Sequence, residues 1–118
     1  LDAKIINFGV DFSVIADLES NKYDVLNACK NAIMSEYLRC RDIGEPLFYT
    51  DISKILKDVK GVLDVARIKL YNKYGGLYSN IYYDMDKYQS ADGRYIKAPD
   101  NVIFELKFPN TDIKGVVL

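Results

Sequence analysis

A chain of 118 residues, 49% hydrophobic and 28% charged, can bury one core without metals or disulfides and is too apolar to be disordered. Its net charge of −1 and pI near 5.4 argue against a general nucleic-acid binder, which needs a basic face. No apolar run approaches the ~20 residues of a membrane span, and no secretory leader is visible.

Taken in chain order, Ile6, Phe8, Val10, Phe12, Val14, Ala16 and Leu18 alternate with Asn7, Gly9, Asp11, Ser13 and Asp17, which predicts a half-buried strand, bent or broken near Gly9. A helix follows from Asn21 to Cys40. Asn21 is placed to cap it with Asp24 in the capping-box position, and Val25, Leu26, Cys29, Ile33, Tyr37 and Cys40 form its apolar side. Along such a helix Cys29 and Cys40 point the same way but rise ~16 Å apart, too far for a disulfide. With no His in the chain a Cys/His zinc site is excluded too, so both thiols read as buried and reduced, in keeping with a reducing cytosol.

Leu47 to Tyr49 reads as a short extended piece before a second helix. Thr50 is placed to cap that helix, and Ile52, Ile55, Leu56 and Val59 form its buried face. Lys54, Lys57 and Lys60 suit its C-terminal end, and Gly61 supplies a left-handed stop. Val62 to Tyr71 is the next strand, with Val62, Ala66, Ile68 and Leu70 on one face. Residues 51–73 carry six basic and three acidic groups against two and five in residues 1–24. Lysines alternating along a solvated helix and strand account for this better than a positive binding patch.

Residues 71–96 form a Tyr-rich insertion holding seven of the ten tyrosines, with Gly75-Gly76 and Asp92-Gly93 as turn signals for excursions or hairpins. Tyrosine couples a rigid surface to a polar tip, a combination enriched where proteins meet, so Tyr74, Tyr78, Tyr82, Tyr83 and Tyr88 are candidate interface residues. The competing reading has several of these rings covering the second face of the sheet. A closing strand follows, with Val102, Phe104, Leu106 and Phe108 alternating with Ile103, Glu105 and Lys107 until Pro109-Asn110 ends the pairing.

The elements predict one α+β domain over residues 1–118: a two-layer sandwich whose small, mainly antiparallel sheet is covered on one side by two helices, with the Tyr-rich insertion before the last strand. The opening Leu1 and the closing run Val116-Val117-Leu118 lead us to expect a domain excised from a larger subunit.

Chemistry is sparse. Asp84, Asp86 and Asp92-Gly93 do not follow the alternation of a calcium loop, because Tyr88 and Gln89 stand at key places. Without His the usual general base is missing, Glu45 reads as a capping or backbone-bonding carboxylate, Asp11 and Asp17 lack a counterpart, and Gly75-Gly76 has no phosphate-loop continuation. No catalytic residue, cofactor or metal is expected.

Four stretches carry a family resemblance: Ile43-Gly44-Glu45-Pro46 before the second helix; Gly61-Val62 with Asp64-Val65; Asp92-Gly93-Arg94-Tyr95; and the run from Val102 to Asn110. Together they resemble the C-terminal part of baseplate J-like and baseplate wedge proteins of contractile-tailed phages. The resemblance implies a structural virion component of the tail baseplate, assembled in the host cytoplasm, that joins copies of itself and other wedge proteins without touching nucleic acid or membrane. A bacterial contractile injection particle would use the same domain. The alternative from a different class is a carbohydrate-binding module using Tyr78, Tyr82 and Tyr83 as stacking platforms.

Overall fold

A computed structural model describes residues 4–37, 44–98 and 101–118. The element order is β1 (Lys4–Ala16), α1 (Lys22–Tyr37), β2 (Leu47–Phe48), α2 (Tyr49–Lys57), β3 (Val62–Lys73), β4 (Tyr95–Ile96), β5 (Val102–Glu105), α3 (Pro109–Asp112) and β6 (Ile113–Val117). The fold is α+β. β1 is the centre of a four-stranded sheet, with β3 on one flank and β5 and β6 in succession along the other, while β2 and β4 pair separately.

β1 runs unbroken through Gly9, and its alternation places Ile6, Phe8, Val10, Phe12, Val14 and Ala16 in the core. Leu18, expected to continue that face, lies in the turn after the strand and is fully exposed. There the Asp17 carboxylate accepts the amides of Glu19 and Ser20, which ends the strand by an Asx turn. Gly9 is needed for close approach rather than for a bend. A Cβ there would lie 2.7 Å from the Tyr71 ring and 3.1 Å from the Asp112 carbonyl.

α1 and α2 lie on the apolar face. Asn21 caps α1 through Oδ1, which accepts the amides of Tyr23 and Asp24, and Val25, Cys29, Ile33 and Tyr37 form its buried line. The Tyr37 ring meets Phe8 edge-on at 5.5 Å. Burial pushes the Cys29 thiol up to about 11, so it stays protonated and inert. Cys40 and Ile43 lie outside the described residues. α2 starts two residues earlier than expected: Phe48 is the N-cap without a side-chain bond, so Thr50 sits inside the first turn. The Tyr49 amide is instead satisfied by the Arg94 carbonyl at 2.8 Å. Ile52 and Leu56 bury fully, with Ile55 and Val59 packed beside them. The helix ends at Lys57 with Asp58 as C-cap, and Gly61, at φ +95°, closes the following turn and opens β3.

The β1–β3 ladder is antiparallel, whereas β5 and β6 both run parallel to β1, making the sheet mixed. This follows from connectivity: the chain returns to the far flank of β1 through a long crossover rather than a hairpin. Register shifts opposite Ser13/Val14 and Ile15/Ala16 leave Ala66 and Leu63 without partners on β1. As a result Val65 pairs with Val14 on the inner face, and Ala66, expected inside, is exposed. The strand expected to reach Phe108 stops at Glu105. Leu106 stays buried as the chain leaves the sheet, α3 begins at Pro109, and β6 resumes the flank at Val10, so Phe8 and Gly9 face the excursion. β6 was not anticipated from the sequence. Its Gly115 lies opposite Phe12, whose ring occupies the space a Cβ would need.

Candidate interaction surface

The Tyr-rich insertion is anchored by two asparagines on neighbouring strands. Asn7, expected on a solvated face, is buried: its Oδ1 accepts the Ser79 amide at 2.7 Å and its Nδ2 donates to Glu105 Oε1 at 2.8 Å. Asn72, opposite Phe8 in the ladder, accepts the Tyr83 amide at 2.9 Å through Oδ1 and donates to the Asn7 carbonyl at 3.0 Å. Asn7 and Phe8 point to opposite faces, so these bonds carry residues 79–83 from one face of the sheet to the other. The crossing sorts the tyrosines.

Tyr83 enters the core at 7% exposure, stacks on Tyr88 at 4.5 Å, meets Phe104 edge-on at 5.5 Å, and donates its hydroxyl to the Lys97 carbonyl at 2.5 Å. Burial pushes its phenol up to about 12. Tyr88 packs against the same core. Past it, Ser90 nucleates a small hairpin: its hydroxyl donates to Asp92 and accepts the amides of Arg94 and Tyr95, with Gly93 at φ +72°. The bond from Ser90, foremost, holds the Asp92 carboxyl below its ordinary value. The turn expected at Asp92-Gly93 is therefore present, and it docks Tyr95 on Phe48 at 5.2 Å.

Tyr74 and Tyr82 stay outside, 55% and 63% exposed, and meet edge-on at 5.1 Å with Leu77 exposed in the same loop. Of the five candidates these two offer contact area freely. Tyr78 is half-buried, its ring against Phe108 and its hydroxyl donating to Asp112 Oδ1 at 2.8 Å. The carbohydrate alternative thereby loses two of its three platforms, since the Tyr83 ring is enclosed and Tyr78 is engaged at both ring and hydroxyl.

Asp112 was not legible as a site residue. It is fully buried, with Lys73 Nζ 3.9 Å from Oδ1, while Oδ2 has no hydrogen-bond partner among the described residues. Nearby, Tyr71 donates to Asp11 Oδ1 at 3.3 Å, and burial above all, with Asp11 next, pushes the Tyr71 phenol up to about 12. The Asp112 bond in turn raises Tyr78. A carboxylate held by a phenol and an ammonium pins α3 and the insertion to the sheet. Asp17, expected without a counterpart, is tied into its turn and held low, above all by Ser20. No group of three metal-ligating side chains occurs among the described residues. No protein-family model matches the chain, and no curated protein matches it either.

Proposed function

We propose that this chain is a structural, non-catalytic domain of a contractile-tail baseplate wedge or J-like subunit, working through contacts with copies of itself and with other wedge proteins. The reading rests on the resemblance carried by Gly44-Glu45-Pro46, Gly61-Val62, Asp92-Gly93-Arg94-Tyr95 and Val102 to Asn110. The structural observation that supports it best is the exposed Tyr74–Tyr82 pair with Leu77 in the same loop, large rings in mutual contact that offer area to a partner. Its place would be the virion tail baseplate, reached by assembly in the host cytoplasm.

The test is sedimentation of the chain alone and with its neighbouring wedge proteins, for the wild type and for Tyr74→Ser with Tyr82→Ser. Wedge complexes that form with wild type and weaken with the double variant, at unchanged melting temperature, support the reading. Complexes that never form, alongside saturable binding in a glycan titration, overturn it.

A further inference from the structure

We propose that the outer edge of β3, from Asp64 to Lys69, accepts an extended acidic segment of a partner subunit as an added strand. The proposal deepens the assembly reading above and rests on it. Among the described residues β3 is the last strand on its side of the sheet and pairs with β1 alone. The Leu118 amide, just past β6, donates to the Val14 carbonyl at 2.8 Å, so Val14, and by the two-residue period Phe12 and Val10, turn their main chain toward β6. Their partners across the antiparallel ladder, Ile68 opposite Phe12 and Leu70 opposite Val10, therefore turn their amides and carbonyls away from β1. Beside this stretch lies an open groove of about 600 Å³, lined by Thr50 and Ser53 of α2, by Val65 to Lys69 of β3 and by Arg94 of the hairpin turn.

Charge selects the occupant. Arg67, Lys69 and Arg94 line the groove against the single carboxylate of Asp86, on a chain whose net charge is −1. Arg94 also has Asp92 at 3.7 Å, but both are more than half exposed and the pair is weak. Asp64, at the start of the edge, is turned back on the Val65 amide and lies 3.9 Å from Lys57. Two β3 edges brought together would set Arg67 and Lys69 against their own copies, and the irregular register at Leu63 and Ala66 adds twist that opposes flat self-pairing. An acidic strand meets no such charge opposition, gaining main-chain hydrogen bonds and ion pairs together. The far edge, β6, has five residues and one cation, Lys114, and shows no comparable charge selection.

The probe is a synthetic peptide of alternating Val and Glu matched in length to this edge, with a Val-Lys peptide as control, read by amide hydrogen exchange. The Glu peptide should slow exchange at Ile68, weaken with added salt, and bind about tenfold or more tighter than the control. Arg67→Glu with Lys69→Glu changes two exposed side chains and should invert that preference in a protein that still melts cooperatively, at a lowered temperature because Lys69 stands opposite Asp11 in the ladder. Ile68→Pro removes the outward amide without breaking a bond to β1 and should abolish binding; if it does not fold, the charge-reversed protein decides alone. Equal binding of both peptides, binding of neither, protection that maps to β6, or a β3-mediated dimer would overturn the proposal. Normal wedge assembly by a charge-reversed protein that has lost the peptide overturns the edge but leaves the assembly reading standing.

Discussion

Tyr83 and Tyr82 are adjacent in sequence and opposite in role. One stacks in the core between Tyr88 and Phe104, and the other projects beside Tyr74 into solvent. Side-chain chemistry does not separate them. The separation comes from the amide of Tyr83, held by Asn72, and that of Ser79, held by Asn7, which fix the path of the intervening chain. The same residue type is thus enclosed in one half of the insertion and exposed in the other, according to two hydrogen bonds from backbone amides to asparagine side chains.

The largest test of this contrast is Tyr83→Ser, which removes an enclosed ring and should cost about 3 to 5 kcal/mol, seen as a sharply lower melting temperature. An unchanged melt would place Tyr83 outside the core and break the comparison. Next come the anchors. Asn7→Ala or Asn72→Ala leaves a part-buried amide of the insertion without its acceptor, at about 1 to 3 kcal/mol, and should raise amide exchange across residues 79–83. Loss of stability without faster exchange there would show that the asparagines act only within the sheet.

Alkaline unfolding gives a third measurement. Tyr71 and Tyr83, both raised from 10.0 to about 12, bind their protons more tightly folded than unfolded. The stability this brings is complete below pH 10 and is lost as pH rises through about 12. Tyr83→Phe should flatten the Tyr83 part of that fall, and a profile identical to wild type would mean its phenol is not buried. The smallest effect on folding belongs to Tyr74→Ser with Tyr82→Ser: within about 0.5 kcal/mol of wild type for substitutions at exposed sites, with the loss appearing only in partner binding.

Periodicity alone determined the central strand, the two longer helices and their buried lines, and the α+β class, because burial on one face forces a repeat of two in strands and 3.6 in helices. It also marked Asn21 as a cap and Asp92-Gly93 as a turn, since those depend on neighbours a few residues away. Tertiary structure decided the rest. Ala66 left the inner face because β3 carries unpaired residues relative to β1, a matter of register that β3 cannot reveal by itself. β5 broke at Glu105 because α3 carries Asp112 to Tyr78 and Lys73, partners 34 and 39 positions away in a chain whose local pattern favoured continuing the strand. The division of the tyrosines followed from hydrogen bonds spanning up to 72 positions between Asn7 and Ser79. Local pattern reports what a segment can bury, whereas the pairing of distant polar groups determines which of several equally suited side chains is buried.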